Sequence, residues 1–343
     1  GKRYNGNSYR TSMEKRRSAS QPEAVWKEKD LVSGREEDAM VAIFRTSGCS
    51  WAKKGGCTMC GYSSASLSEV TSEDLMSQID AVMERYEGEK FVKLYTSGSF
   101  LDDGEIPPEV RERIFREFSG CSRILFESRP EYVTRETLSR VPKTVTLALG
   151  LESSDPEVLS KSVRKGFTPD DSRRAGECAK ELGLSVRTYL LLKPPFMIES
   201  EAIEDALRSI AFADAFSDEI SINPVNVQRG TYLEHLWRRG GYRSPWIWSL
   251  VDVIARAAPI TKARIMSSPS GGGTQRGVHN CGVCDRKVLD TIHKFSITQD
   301  LGCMDAHCEC EERWRRYLES ERVLGTAADI DRGIRDELML VGR

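Results

Sequence analysis

The sequence predicts an α/β protein, a partial (β/α)6 barrel followed by a small C-terminal metal-binding domain. Three observations predict it. Short apolar runs alternate with amphipathic helical stretches between residues 38 and 230, polar glycine-containing segments fall directly after those runs, and cysteines gather near the C-terminus where the alternation has stopped. Repeated strand–helix units imply right-handed crossovers and a parallel sheet, and in such barrels chemistry collects at the carboxyl ends of the strands.

The first expected strand is "AMVAIF", a nearly continuous apolar run of the kind buried on both faces of a parallel sheet, and "RTSGC" follows it. The helix "SEDLMSQIDAVMERYE" opens on a Ser-x-Asp start signal. "FVKLYTSG" is the second strand, ending in "TSGSFLDD", and "PPEVRERIFREF" is the helix after it. "RILFES" ends in "ESRPE" and "TVTLALGLE" in "LESSD". The helix "PDDSRRAGECAKELG" then stops at Gly183. "LSVRTYLLL" ends in "KPPF", "ESEAIEDALRSIAFADAF" is helical, and "EISINPV" runs into "NPVNVQRG". Any one of these loops would serve as an ordinary turn; six in phase are expected to face one mouth.

Beyond residue 230, "SPWIWSLVDVIARAA" reads as a helix and "TKARIMSS" as a further strand. "SPSGGGTQRG" reads as a linker, because no Gly-Lys-Ser/Thr closes it into a phosphate loop. The expected divisions are a basic N-terminal arm over 1–37, the barrel over 38–270, and a cysteine-rich, zinc-binding domain over 271–343.

Of the 343 residues, 39% are hydrophobic and 30% charged, enough for a sizeable core, and the net charge of −2 excludes global basicity. Nucleic-acid binding must therefore be local. The first seventeen residues hold six Lys or Arg against one Glu, with Tyr4 and Tyr9 between them: a solvated arm, or one that touches phosphates. "LWRRGGYRSPW" and "RWRRY" alternate aromatics with arginines, as surfaces that stack on bases do. No apolar run approaches the ~18 residues of a membrane span, and the N-terminus lacks a signal-peptide core, so the chain reads as cytoplasmic, with no membrane partner.

In a reducing compartment clustered cysteines mean metal. "CSWAKKGGCTMC" carries Cys49, Cys57 and Cys60 directly after the first strand, and all four histidines lie beyond residue 230. Three thiolates with no fourth ligand nearby suit a [4Fe–4S] cluster with one open iron; a zinc site borrowing a distant ligand is the alternative. In the tail, Cys281 and Cys284 form a C-x-x-C knuckle and Cys308 and Cys310 a C-x-C, a four-thiolate set that leaves Cys303 spare. Zn2+ is the expected metal there and an auxiliary iron–sulfur cluster the competitor.

The cysteine loop resembles that of the radical S-adenosylmethionine (SAM) superfamily, with seven residues between the first two cysteines. Spacing of this length is similar to that of the Elongator-like branch, which acts on tRNA. The resemblance implies a radical SAM barrel in which SAM chelates the open iron and is cleaved to a 5′-deoxyadenosyl radical. It implies that Ser97, Gly98 and Ser99 hold the SAM amino group, where the superfamily's Gly-Gly-Glu region lies. It carries the ribose contact to Glu152 and the carboxylate contact to Lys165, with Arg164 as competitor. Met59 and Tyr62, the latter near adenine, belong to the same expected cofactor-binding set. Arg187, Glu127 and Arg129 are charges beside apolar strands, read either as contacts to cofactor or substrate or as a salt-bridge network.

Taken with "YTSGSFLD", "ESRPEY", "GLESSD", "INPVNVQRGT" and "HNCGVCD", the loop resembles the radical SAM component of archaeosine synthase. That resemblance implies a tRNA substrate, a lysine-transferring archaeosine synthase subunit and a reductant protein as partners, and cleavage of a lysine C–N bond on a 7-deazaguanine. Another Elongator-like tRNA enzyme, or a non-catalytic metal-stabilised RNA-binding module, are the other readings.

Overall fold

The computed structural model describes residues 19–32 and 34–324. The expected basic arm, with Tyr4 and Tyr9, falls largely outside the described residues, as does the end of the tail. Among the described residues the strands follow one another in chain order in one mixed sheet. The fold class is the one expected, α/β with a parallel strand–helix series of the partial-barrel kind. The described residues divide into two compact units, with 19–54 (33 aside), 62–147 and 182–184 in one and 55–61, 148–181 and 185–324 in the other.

The first unit starts with β1 (Ala24–Val32), antiparallel to β2 (Arg35–Ile43) in the register Ala24↔Ile43. β1 has no counterpart among the expected strands, because four consecutive charges, Lys27 to Asp30, hide its period. Each charge is matched in the fold: Lys29 pairs with Asp38 at 2.8 Å, Lys27 with Glu89 at 2.6 Å, and the buried Lys93 with Glu28 and Asp30 at 2.5 and 2.6 Å. Charges of this kind also protect an edge strand from pairing with other chains.

β3 (Phe91–Tyr95) and β4 (Arg123–Ser128) add in parallel, with Ala39↔Phe91 and Phe91↔Arg123 in register. α1 (Ser72–Met83) runs between β2 and β3, α2 (Pro108–Glu117) between β3 and β4, and the short α3 (Arg135–Ser139) follows β4. α1 begins one residue earlier in signal than expected: Thr71 is its cap, accepting from Asp74 N while the Asp74 carboxylate accepts from Thr71 N. Phe100, stacked on Phe126 at 4.4 Å between centroids, fills the core of this unit.

β5 (Val145–Glu152) begins in the first unit and ends in the second. The second unit continues with a π-helical turn over Val158–Val163, α4 (Pro169–Glu181), β6 (Ser185–Leu192), α5 (Glu199–Ala213) and β7 (Glu219–Pro224). α6 (Tyr232–Arg238), α7 (Ile247–Ala257) and the three-residue β8 (Arg264–Met266) follow. β6, β7 and β8 are parallel, with Arg187↔Glu219 and Glu219↔Arg264 paired. The tail supplies α8 (Asp285–Thr298) and α9 (Cys310–Leu324). Among the described residues no helix is long and apolar enough to cross a membrane.

Candidate active site and metal centre

In the first unit, the loop leaving β2 lies against the loop leaving β3. Phe44 N donates to Tyr95 O at 2.8 Å, and a methyl group at Gly98 would stand 2.6 Å from Cys49 Cα and 2.8 Å from its Cβ. Only a residue without a side chain allows that approach. Beneath it sits Glu105, buried, accepting from Thr46 Oγ1 at 2.7 Å through one oxygen and from Ser99 N at 2.5 Å through the other. Burial pushes this carboxyl above the ordinary range. Sequence reasoning did not single out Glu105; the only signal was an acid six residues after Ser99, in a stretch that otherwise reads as a polar turn.

Ser99 Oγ accepts from Arg129 N at 3.0 Å, and the Arg129 guanidinium lies 5.4 Å from the Trp51 ring of the cysteine loop. This unit therefore brings together Cys49, Ser97, Gly98 and Ser99. Tyr62 opens a 3-10 turn and is 59% exposed, so any adenine contact would have to form at a surface.

The second unit holds Cys57, Met59 and Cys60. Gly55 and Gly56 take φ of +117° and +65° on the way into Cys57, a path few L-residues follow. The segment is docked by its backbone: Thr58 N donates to Val163 O at 3.1 Å, Thr58 Oγ1 to Ser162 O at 2.6 Å, and Leu233 N to Thr58 O at 3.0 Å. Met59 packs against Val158 and Val163 on one side and Val225, Val227 and Leu233 on the other.

Arg164 closes the π turn with φ +58°, its guanidinium 3.4 Å from where a Gly55 side chain would begin. Lys165 Nζ donates to Glu152 Oε1 at 2.5 Å, and Glu152 itself has φ +71°. Left-handed backbone at Glu152 and Arg164 costs on the order of 1 kcal/mol or more each and marks places where a fold aims a side chain. Glu152 is held there from below. Ser153 Oγ donates to Asp205 Oδ1 at 2.9 Å, and Ser154 N to Ser209 Oγ at 2.8 Å, both acceptors lying on α5.

Arg187 does not share this position. It is the third residue of β6, toward the strand's amino end, and it is buried with Nε donating to Glu219 Oε2 at 2.7 Å while Arg264 reaches Glu219 Oε1 at 3.1 Å. Its placement is that of the salt-bridge reading, not of a cofactor contact at a strand's carboxyl end.

The residues fit the implied groups. Cys49 in the first unit and Cys57 and Cys60 in the second are half-buried cysteines outside any disulfide, soft donors of the kind that iron–sulfur clusters take. The side-chain-free Gly98 leaves a backbone face beside Cys49, and the Glu152–Lys165 pair offers an acceptor for hydroxyls and a cation for a carboxylate.

In the tail, the sulfur atoms of Cys281, Cys284, Cys308 and Cys310 lie within 4.8 Å of one another, which is the spacing of a four-thiolate metal site. Burial pushes the Cys281 thiol up, but N–H groups of Cys284 and Val283 donate to it and hold it at about 7. Burial drives Cys284 and Cys310 upward. Asn280 Nδ2 donates to Cys284 at 3.4 Å and Trp248 Nε1 to Cys310 at 3.2 Å, the outer bonds that orient metal-binding sulfurs. Cys303 is apart, its thiol donating to Thr291 O at 3.6 Å.

No family model matches the chain. It is 42% identical over 315 residues to the archaeosine synthase subunit beta of Methanosarcina acetivorans, covering 88% of this chain and 91% of that protein. The chain belongs to the archaeosine synthase subunit beta family. The protein of that name from Thermococcus kodakarensis is 38% identical over 311 residues, covering 86% and 96% of the two chains. A solved structure of Elp3 from the archaeon Methanocaldococcus infernus is similar with TM-score 0.48 and 17% identity, over 73% of this archaeosine synthase beta-family chain and 60% of that one.

Proposed function

We propose that the protein is a radical SAM enzyme acting on tRNA, and that it completes archaeosine. The observation that carries this is the 42% identity to an archaeosine synthase subunit beta over nearly the whole length of both chains. Cys49, Cys57 and Cys60 hold a [4Fe–4S] cluster. With SAM bound, that group supplies a 5′-deoxyadenosyl radical able to take hydrogen from carbon.

The chain's own residues bind and orient. The backbone of Ser97, Gly98 and Ser99 receives the SAM amino group, Glu152 the ribose hydroxyls, and Lys165 or Arg164 the SAM carboxylate, with Met59 and Tyr62 beside the nucleoside. Releasing Lys165 from Glu152 gives each a new partner of suitable chemistry, so the ion pair keeps both side chains in place and costs little to exchange. The apolar packing around Met59 covers part of the segment that carries two of the three cysteines.

The substrate is a D-loop 7-deazaguanine bearing lysine through its side-chain nitrogen. Hydrogen would be removed from the lysine carbon next to that nitrogen, a second electron would pass from the same carbon back to the cluster, and water would split the C=N bond so formed, leaving the amidine of archaeosine and the side-chain aldehyde of lysine. A lysine-transferring subunit supplies the adduct, a reductant protein supplies the electron, the tail holds Zn2+, and the enzyme works in the cytoplasm.

Anaerobic reconstitution tests the reading. The wild-type chain should form 5′-deoxyadenosine from SAM under reductant, and Cys57→Ala should abolish it. Lysine-adducted tRNA should lose the adduct and gain archaeosine in mass spectra of its nucleosides. SAM left intact by a chain with full cluster content would sink the proposal and favour an RNA-binding module.

A further inference from the structure

The stretch after β6, residues 193–197, is held in a conformation its own sequence disfavours. Lys193 has φ +63° and Phe196 φ +67°, two left-handed non-glycine residues within four positions. Such backbone persists only where the surroundings over-determine it. The turn is also a wall for the cysteine loop: Pro195 O accepts from Ser162 Oγ at 2.6 Å, and Phe196 and Met197 pack in the two apolar clusters that enclose Met59.

What holds the turn is a buried charge pair. Lys193 Nζ lies 2.7 Å from Glu199 Oε2, both residues almost fully buried. Glu199 Oε1 accepts from Trp246 N at 2.7 Å and from Ser249 Oγ at 2.6 Å, which fixes the carboxylate on the first turn of α7. Tyr242 Oη donates to Lys193 O at 2.6 Å.

That same turn of α7 is where the tail metal site attaches. Trp248 Nε1 donates to Cys310, and Trp248 N donates to Asn280 Oδ1 at 3.3 Å while Asn280 Nδ2 donates to Cys284. From Cys310, α9 carries Trp314, Tyr317 and Glu321 at spacings of four, three and four, one face of a helix. Trp314 Nε1 donates to Ser249 Oγ at 2.9 Å, the Tyr317 ring sits 5.7 Å from that of Trp246, and Glu321 Oε2 accepts from Glu199 N at 2.7 Å.

We propose that Glu199 is a positioning residue through which the four-cysteine tail site governs the wall of the cysteine loop. Metal fixes the start of α9 on α7. The two helices then confine Glu199, Glu199 confines Lys193, and the strained turn keeps Met59 and the π turn in register. The tail is thereby part of the cluster's environment and not only a stabilising appendage. The inference rests on the tail's binding a metal and not on the tRNA chemistry.

Hydrogen exchange on the full zinc-loaded chain tests it. Stripping zinc with a chelator should speed exchange at residues 193 and 196–199 about tenfold, together with the tail, because opening there becomes local. Glu199→Gln should loosen the same turn while zinc content stays at the wild-type ratio. It should also shift the electron paramagnetic resonance signal of the reduced, SAM-bound cluster, which damage confined to the tail would not do. Trp314→Phe, which deletes one N–H donor, should act in the same direction to a smaller extent and serves if Glu199→Gln does not fold. Wild-type protection of the turn in the zinc-free chain, or an unshifted cluster signal in Glu199→Gln, overturns the proposal. A chain that takes up no cluster fails the functional reading above, yet still reports on the turn through exchange.

Discussion

Asp205 is a carboxylate kept where ionisation is unfavourable. Its Oδ1 accepts from Ser153, its Oδ2 is buried without a hydrogen-bond partner, and Arg208 reaches only to 3.7 Å. Burial raises its carboxyl from 3.8 to about 6. A folded value above the unfolded one means that its contribution to stability is whole below pH 3.8 and is lost as pH rises through about 6. Asp205→Asn keeps an acceptor for Ser153 and removes the charge, so it should stabilise the protein by about 1–3 kcal/mol at pH 7 and by nothing below about pH 4. Thermal melts of both proteins across that range check the sign, and a difference independent of pH would refute the assignment. At this scale the sequence was legible where chemistry is local. The glycine of "TSGS" and the three cysteines announce themselves, whereas Glu105, Asp205 and Glu199 look like ordinary surface acids, because only the packed fold buries them.

The elements were legible in proportion to their apolar period. The apolar runs of β2 to β7 and the short β8 fall where the pattern puts them, with β2 starting four residues earlier on the charged Arg35–Asp38, while β1 hides its period behind paired charges. The π turn over Val158–Val163 had no readable signal, since its widened winding is set by what it must hold. Its last carbonyls, those of Ser162 and Val163, accept from Thr58 and so fasten the segment of Cys57 and Cys60 to the turn that follows β5. Thr58→Val removes one donor from a buried carbonyl and should cost about 1–3 kcal/mol at that contact. The loss should appear as lower iron content per chain after reconstitution, with the global melting temperature changed little. Wild-type iron occupancy would show that the hydroxyl does not anchor the loop.

Over the whole molecule, zinc linkage should separate the two compact units. A ligand that binds only the folded tail stabilises what unfolds with it by about 1.4 kcal/mol for each tenfold rise in free zinc above the dissociation constant. Structural four-thiolate sites of this kind contribute on the order of 10 kcal/mol, comparable with the stability of a domain. Residues 281–310 belong to the second unit, and α9 ties them to α5 and α7 through Glu199 and Ser249. Residues 62–147 lie in the first unit, with a core of their own around Phe100 and Phe126. Amide exchange measured over a series of free zinc concentrations should therefore show the opening energy of α5, α7 and α9 climbing with zinc, while that of α1, β3 and β4 stays flat. If β3 and β4 climb in step with α9, the chain opens as one cooperative body, and the division into two units has no energetic meaning.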